Sequence, residues 1–267
     1  MGASSGIGRA CAGRLAERGY EVLAGVRSES AAEAVKAMAP DRIRPLILDV
    51  TDQAAIDAAA MVLEGEPLAG LVNSAGLAVI GPLELISTDD LRRQFEVNVI
   101  GLMAVTRAFL PALRQARGRI VNIGSIAGRS ALPGTGAYDA SKFAIEALTD
   151  SLRMELRDAG VFVSVIEPGA VATPIWDKTE ADIAALRDRT PPERYQIYER
   201  LMTRVSDEAA HTARNALAPE AVALAVEHAL TARRPKTRYP LGGDARFWLM
   251  LNLLPDRLRD WLIMDVL

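Results

Sequence analysis

Two residues near the middle of the chain have the types and spacing needed for acid–base chemistry. Tyr138 and Lys142 lie four positions apart in "YDASK", so on a helix they share one face. A free tyrosine has a pKa of about 10, but a nearby ammonium favours the phenolate and makes proton exchange easier. Tyr138 could then exchange a proton with an alcohol or carbonyl oxygen, while Ser125 hydrogen-bonds that oxygen. An isolated pair of this kind is more often a surface tyrosine and a solvated lysine.

A glycine-rich stretch, "MGASSGIG", opens the chain and could bind a phosphate. Gly2, Gly6 and Gly8 supply positions without a β-carbon, where the backbone can bend or a ligand can approach closely. A helix starting near Ile7 would direct its free N–H groups and its positive end at an anion. Taken alone, glycines mixed with serines are more often an ordinary loop.

Polar residues follow several of the predicted strands. Ligands of open parallel sheets bind outside the carboxyl ends of the strands, so residues at these ends are candidates for a shared site. The strand-end residues are Asp49, Asn73, Ser125, Pro168 and Gly169. Asp49 can equally be a turn or helix-cap residue, but four strand ends of the same character favour a ligand site.

The elements that must position these residues alternate along the chain. Short continuous apolar runs are typical of strands covered on both faces, and helical patterns separate them. We therefore predict an α/β fold, a doubly wound parallel Rossmann sheet in a single domain over residues 1–267. The predicted strands are Glu21–Val26, Pro45–Val50, Gly70–Asn73, Arg119–Gly124, Phe162–Glu167 and Thr237–Leu241.

Composition and charge exclude several functional classes. Hydrophobic residues make up 50% of the chain and the net charge is −3, which is typical of a globular protein and argues against nucleic acid as a partner. The single cysteine excludes an internal disulfide, and neither histidine lies near a cluster of possible ligands, so we expect no metal. No signal peptide precedes the glycines and no apolar run reaches the length of a membrane span, which favours a cytoplasmic location.

Several short motifs together resemble the short-chain dehydrogenase/reductase family. They are "GASSGIG", "LDV", "NSAG", "FEVN", "GS", "YDASK" and "PGAVAT", and the likeness extends from residue 2 to about residue 173. The resemblance implies that Tyr138 is the catalytic acid/base and that Lys142 lowers its pKa and holds the nicotinamide ribose. It also implies that Ser125 orients the substrate oxygen and that Asn98 supports a proton relay through water.

The resemblance also implies a nicotinamide cofactor. The implied contacts are the pyrophosphate turn of Gly2, Ser4, Gly6 and Ile7, the adenine neighbours Asp49 and Val50, the segment of Asn73, Ala75 and Gly76 behind the cofactor, and the nicotinamide loop of Pro168, Gly169 and Thr173. An acid after the second strand would bind the ribose of NAD, whereas an arginine accepts the 2′-phosphate of NADP. Val26 stands at the place of the acid and Arg27 follows, so we expect NADP, with NAD less favoured.

The second half of the chain bears on substrate and partners. Residues 174–218 contain no strand signal and predict inserted helices that form a substrate loop, although packing of helices explains most of their apolar residues equally well. The resemblance points to relatives that act on steroids, retinoids and similar lipophilic alcohols or ketones, and to a homo-oligomer, dimer or tetramer. The apolar tail, residues 244–267, has three interpretations: a cover for the pocket, a subunit interface, or a helix in peripheral contact with a membrane.

The start of the chain departs from the family pattern. A short apolar strand and a threonine normally precede the glycine turn, and Met1 stands at the place of the threonine. The chain as written therefore predicts a sheet that lacks its first, central strand. The explanations are a longer natural chain, a truncated one, or a protein that is weak or inactive as an enzyme and has a binding or scaffolding role. We favour an active oxidoreductase, because every chemical position is filled.

Overall fold

The computed structural model describes residues 1–63, 65–214 and 216–266, without the side chains of 176–179 and 266. The strands are β1 (Val22–Val26), β2 (Ile43–Ile47), β3 (Gly70–Asn73), β4 (Arg119–Ile123), β5 (Phe162–Pro168) and β6 (Arg238–Leu241). The helices are α1 (Gly6–Glu17), α2 (Glu29–Lys36), α3 (Gln53–Met61), α4 (Thr88–Phe95), α5 (Gly101–Ala116), α6 (Gly136–Glu155), α7 (Ile175–Arg189), α8 (Pro192–Arg214), α9 (Pro219–Thr231), α10 (Gly243–Leu251) and α11 (Asp256–Val266). A π-helical turn, Glu96–Ile100, joins α4 to α5, and a short 3₁₀ turn, Ile126–Gly128, follows β4.

All strand pairs are parallel, as the alternation of strands and helices predicts. β1 pairs with β2, and β3, β4, β5 and β6 form a separate sheet in that order. The first residues of the chain lie between the two sheets at the carboxyl ends of the strands. The Met1 amino group donates to the Val72 carbonyl at 2.6 Å, and the Gly2 and Ala3 N–H groups donate to the Gly25 carbonyl at 3.1 and 3.0 Å. No strand precedes α1 among the described residues, and a first strand missing from the natural protein stays a prediction.

The second strand is displaced from its predicted position. It spans Ile43–Ile47 rather than Pro45–Val50. The reason is its register with β1, in which Val26 pairs with Ile47, so the ladder has no partner for residues beyond Leu48. The apolar run "LILDV" continues past that point because Leu48 and Val50 are buried in the core without strand pairing.

Helices cover both faces of the larger sheet. On one face, Phe109 and Leu113 of α5 pack with Ile120 of β4. On the other face, the neighbouring Val121 packs with Val222 of α9. Adjacent strand residues thus enter opposite cores, which explains why β4 reads as a continuous apolar run.

The stretch from α4 to α5 departs from the expectation that no apolar run is as long as a membrane span. Thr88–Ala116 is long and apolar enough to cross a membrane by length and composition alone, and among the described residues it is the one such helix. Its buried residues, which include Val105, Phe109 and Leu113, pack in the core, and core helices of soluble proteins often meet the same criterion.

Two helices, α7 and α8, occupy most of residues 174–218, with one isolated bridge between Val171 and Leu217. Tyr195 and Met202 of α8 are buried in a cluster with Ile80 and Ile183. Packing between helices therefore explains these two apolar residues, which was the alternative to direct substrate contact. The side chain of Trp176, the other large apolar candidate, lies outside the described part of the chain.

Candidate active site

The glycine turn forms a cradle of exposed backbone at the start of α1. Gly2 and Gly6 have positive φ angles of 77° and 52°, which a residue with a side chain rarely adopts. A β-carbon on Gly8 would overlap the Gly2 carbonyl, so the turn requires glycine for its close backbone packing. The N-cap residue, Ser5, makes no side-chain hydrogen bond to the helix. The first N–H groups of α1 are therefore left to bind an anion, and the turn fits a dinucleotide pyrophosphate.

The structure brings two other predicted cofactor segments into contact with this turn. A β-carbon on Gly2 would lie 2.7 Å from the Ala75 nitrogen, and one on Gly6 would lie 2.8 Å from Cγ2 of Thr173. The turn thus contacts both the segment after β3 and the loop after β5. Ser4 is exposed beside the cradle, whereas the Ile7 side chain packs against the core, so Ile7 could contribute its backbone but not its side chain.

Ser125 and Tyr138 meet in front of the carboxyl end of β4. The Ser125 hydroxyl lies close enough to the Tyr138 hydroxyl to affect its pKa, and it lies 3.5 Å from the Pro168 carbonyl. Tyr138 is half-buried, and loss of solvent around its hydroxyl raises its pKa to about 12, although Ser125 lowers it. Burial thus outweighs the expected acidification by Lys142, which stays a prediction.

Lys142 lies behind Tyr138 on the same face of α6. Its Nζ donates to the Ile123 carbonyl at 2.9 Å and lies 5.5 Å from the centre of the Tyr138 ring. Burial lowers the pKa of Lys142 to about 8, while the charge of Glu146 raises it. The ammonium is therefore fixed between the end of β4 and the tyrosine, as the spacing of four residues predicts.

Asn98 lies in the π-helical turn between α4 and α5, and its amide is fully hydrogen-bonded. Its Oδ1 accepts from the Leu77 N–H at 2.9 Å, and its Nδ2 lies 3.0 Å from both the Leu77 carbonyl and the Ser141 hydroxyl. The Ser141 hydroxyl in turn donates to the Tyr138 carbonyl at 2.6 Å. Asn98 therefore holds the loop after β3 against α6, and its role in a proton relay stays a prediction. Irregular turns of this kind are frequent at functional sites.

Gln94 is a site residue that the sequence analysis missed. It is completely buried one helical turn before Asn98, where its Oε1 accepts from the Val79 N–H at 2.7 Å and its Nε2 donates to the Leu77 carbonyl at 2.8 Å. The two amides thus fix the same loop from one side. The available signal was a pair of amide side chains four residues apart, which share one face of a helix.

The Asn73 side chain points into the core and not towards the glycine turn. Its Nδ2 donates to Thr106 and to Asn122 at 2.9 Å each, and Asn122 continues the chain of bonds to Thr149. This buried network joins β3, α5, β4 and α6. Of the predicted segment at residues 73–76, Ala75 lies against the glycine turn, and a β-carbon on Gly76 would lie 3.4 Å from Oδ1 of Asn98.

The predicted adenine neighbours follow β2. Asp49 accepts from the Thr51 N–H and hydroxyl at 2.9 and 2.8 Å, and these bonds lower its pKa, with a smaller contribution from the charge of Arg27. Asp49 is therefore a turn residue, and it also lies close enough to Arg27 to interact with its charge. Arg27 is exposed directly after β1, and Val50 is buried against Gly101 of α5.

The predicted nicotinamide loop is in contact with the C-terminal tail. The Asp244 carboxylate, in the first turn of α10, accepts from the Ala170 N–H at 2.9 Å, and a β-carbon on Gly169 would overlap it. The Asn252 side chain donates to the Arg129 carbonyl at 2.5 Å. The tail is therefore anchored beside the loops after β4 and β5. Beyond these anchors it exposes large apolar side chains, among them Met250, Leu253 and Trp261.

The described residues contain no group of histidine, cysteine and carboxylate side chains that could hold a metal ion. The groups that meet at the site are a serine hydroxyl, a tyrosine hydroxyl, a lysine ammonium and a backbone cradle for an anion. This set fits a bound dinucleotide and proton exchange at one substrate oxygen.

Comparison with known proteins agrees with this arrangement. Retinol dehydrogenase 5 of Mus musculus is 40% identical over 97% of this chain and 85% of its own length, and 17-beta-hydroxysteroid dehydrogenase type 6 of Rattus norvegicus is 39% identical over 98% and 86%. A short chain dehydrogenase/reductase from Burkholderia phymatum, solved in complex with NAD, superposes with a TM-score of 0.78 at 29% identity, covering 94% of this chain and 90% of its own. A short chain dehydrogenase from Burkholderia cenocepacia, solved with NADP, gives 0.73 at 28% identity, covering 97% and 92%.

A family model described as short chain dehydrogenase matches residues 1–184. That range contains the glycine turn, the strand ends and the Tyr138–Lys142 pair. Together with relatives of about 40% identity along nearly the whole chain, the match settles the family, and the alternative of an inactive scaffold is not favoured. The chain belongs to the short chain dehydrogenase family.

Proposed function

We propose that the protein is an NADP-dependent oxidoreductase that interconverts a lipophilic alcohol and the corresponding ketone or aldehyde. The observation that carries the proposal is the position of Ser125 and Tyr138 in front of the end of β4, with the Lys142 ammonium held behind the tyrosine by the Ile123 carbonyl. The names of the retinol and hydroxysteroid dehydrogenases among its relatives support the substrate class.

Each side chain of the site has a separate role at the substrate oxygen. When bound, the nicotinamide accepts or supplies the hydride. Tyr138 exchanges the proton at the oxygen, and Ser125 hydrogen-bonds the same oxygen and orients it. Lys142 would stabilise the ionised tyrosine by its charge and would hold the nicotinamide ribose. Backbone N–H groups of the turn at Gly2 and Gly6 would hold the pyrophosphate.

Substitution of the tyrosine tests the activity. Tyr138→Phe removes only the exchangeable proton, so we expect the consumption of NADPH with a lipophilic ketone to fall by about 10²–10⁴-fold. Tyr20→Phe, which removes an exposed hydroxyl far from the site, is the matched control and should leave the rate unchanged. Undiminished turnover by Tyr138→Phe would refute the proposed function.

The choice of NADP over NAD depends on Arg27. Its guanidinium follows the end of β1, where it could pair with a 2′-phosphate. We expect kcat/KM to be higher with NADPH than with NADH, and Arg27→Ala to lower it about tenfold or more for NADPH alone. Arg157→Ala, at an exposed position on another part of the molecule, is the control. Equal or better turnover of the natural chain with NADH would contradict this part of the proposal.

The substrate class depends on the surroundings of the site. The cluster of Ile80, Ile183, Tyr195 and Met202 places the inserted helices against the loop after β3, and Val205 of α8 lies against Gly134 before Tyr138. These contacts pack apolar residues of the inserted helices against the loop after β3 and the loop before α6, and this apolar packing beside the site supports a lipophilic substrate. A panel of steroid, retinoid and sugar alcohols would test it: we expect turnover of the lipophilic alcohols, and activity on hydrophilic sugars alone would contradict the assignment.

A further inference from the structure

A cluster of buried charges lies behind Lys142. The carboxylates of Glu146 and Glu167 are 7% and 1% exposed, and the guanidinium of Arg238 lies between them. Its Nε is 3.1 Å from Oε2 of Glu146 and 3.6 Å from Oε1 of Glu167. Burying two carboxylates beside a guanidinium carries a desolvation cost that the ion pairs only partly repay.

The cluster joins four elements around the end of β4. Arg238 belongs to β6 and also binds Asp150 of α6 at 2.6 Å. Arg129, in the loop that follows Ser125, lies 3.1 Å from Oε1 of Glu167 on β5. The loop that carries Ser125 and the helix that carries Tyr138 are therefore fastened to the same group of charges.

The side chains of Glu146 and Lys142 both lie at the carboxyl end of β4. The Lys142 ammonium binds the Ile123 carbonyl, and a β-carbon on the next residue, Gly124, would lie 3.3 Å from Oε1 of Glu146. The two residues are one turn apart on α6, and the backbone of Gly128 packs against both of them. Glu146 therefore lies one turn beyond Lys142 on α6, whereas Tyr138 lies one turn before it.

One oxygen of Glu146 has no hydrogen-bond partner among the described residues. Oε2 accepts from Arg238, whereas Oε1 is buried and unpaired beside Gly124. Buried polar atoms are nearly always paired, and the exceptions often belong to functional sites. Within the described part of the chain, no ion pair joins Glu146 to Lys142, and the carboxylate raises the pKa of the ammonium through its charge alone.

We propose that Glu146, held in place by Arg238 and Glu167, is a positioning residue that keeps Lys142 charged and fixed at the end of β4. The inference rests on the proposed function, because it assigns Glu146 a part in the same proton exchange. Glu146 lies about two helical turns from Tyr138 on α6, so it acts through Lys142.

The charges around Lys142 determine whether loss of the Glu146 charge raises or lowers the pKa of the lysine. Burial lowers the pKa of Lys142 to about 8, and the Glu146 charge raises it. Burial and the nearby Glu167 raise the pKa of Glu146 itself, and Arg238 and Arg129 lower it. Replacing Glu146 with a neutral side chain would therefore lower the pKa of Lys142.

Direct titration of the lysine tests the proposal without cofactor or substrate. The chain has only four lysines, Lys36, Lys142, Lys178 and Lys236, so the side-chain Cε signals of a ¹³C-lysine-labelled protein can be assigned with Lys142→Arg. In Glu146→Gln, whose amide still reaches Arg238, we expect the pKa of Lys142 to fall by about one unit. Asp150→Asn removes another carboxylate from Arg238 but not from behind Lys142, and should leave it unchanged. An unchanged pKa in Glu146→Gln would overturn the proposal.

The pH profile of turnover separates this proposal from the proposed function. In Glu146→Gln we expect the alkaline limb of kcat to move to lower pH by about the same amount, since activity requires charged Lys142. A purely structural role would lower kcat equally at every pH, and that result would also overturn the proposal. Absence of turnover in the natural chain, or full turnover in Tyr138→Phe, would instead reject the proposed function and leave the lysine titration to decide on Glu146.

Discussion

Asp139, the residue after Tyr138, shows how one buried side chain shapes the site. Its carboxylate is 2% exposed and accepts from the Leu132 N–H and the Thr135 hydroxyl at 2.8 Å each. These bonds tie the loop before α6 to the first turn of the helix. They lower the pKa of Asp139, but burial outweighs them and raises it to about 7.

This pKa makes the stability of the protein depend on pH in a definite direction. The native state keeps the Asp139 proton up to about pH 7, whereas the unfolded chain loses it near pH 4, so the free energy of unfolding falls as the pH rises between these values. Asp139→Asn keeps an accepting oxygen and never ionises. We compare the free energies of unfolding of the variant and of the unsubstituted chain by urea unfolding. We expect the difference in favour of the variant to grow by about 1–4 kcal/mol from pH 5 to pH 8. Asp158→Asn, an exposed change, should show the same difference at both pH values, and an equally constant difference for Asp139→Asn would contradict the prediction.

At the scale of residues, sequence spacing predicted which side chains lie together, whereas burial in the fold determined their pKa values and hydrogen bonds. Four-residue spacing was sufficient to place Tyr138 and Lys142 on one face of α6, because that periodicity is a property of any helix. The raised pKa of Tyr138 and the core position of Asn73 were not predictable, because both depend on contacts between distant elements. Asp244 was missed for the same reason: it is 74 residues away from Ala170 in the chain.

At the scale of elements, the π-helical turn between α4 and α5 links the core to the site. It inserts irregular backbone at Glu96–Ile100, where Asn98 turns its amide towards the loop after β3. Gln94 holds the same loop from the preceding turn, with bonds to Val79 and Leu77. The loop therefore depends on two buried amides rather than on regular pairing.

Removal of one of these amides should be costly. Gln94→Leu has similar volume but leaves the Val79 N–H and the Leu77 carbonyl with fewer partners, and each buried group left unpaired costs about 1–3 kcal/mol. We expect the free energy of unfolding to fall by about 2–4 kcal/mol, measured in denaturant. Gln53→Leu, on the exposed side of α3, should change it by less than about 0.5 kcal/mol. Equal stability of the two variants would show that the loop does not depend on Gln94.

The elements themselves were largely predictable from local pattern. Ser87 caps α4 by accepting from the Asp90 N–H, and Pro219 begins α9, as their residue types indicate. The end of β2 was wrong because apolar character continues to Val50 while strand pairing stops with its partner at Val26. The π-helical turn was not expected, since the apolar periodicity of "FEVNVIG" gives no sign of one extra residue in the turn.

At the scale of the whole molecule, the sheet is divided. β1 pairs only with β2, and β3 pairs only with β4, so the two facing strands have no strand partner between them. Met1, Gly2 and Ala3 connect the halves at one end only, through bonds to Val72 and Gly25. Strand edges without a hydrogen-bonding partner are costly when they are buried. When they are exposed to solvent, they tend to pair with strands of other chains.

An added strand should therefore stabilise the molecule. A variant extended before Met1 by six to eight apolar, β-branched residues and a threonine would pair with both β1 and β3, since that is roughly the usual length of a strand. We expect Tm to rise by about 5 °C or more, because each kcal/mol corresponds to about 2–4 °C in a chain of this size. An extension of equal length made of glycine and serine cannot bury apolar surface and serves as the control. If both extensions leave Tm where it is in the chain that begins at Met1, the interval between the sheets is not a site for a strand.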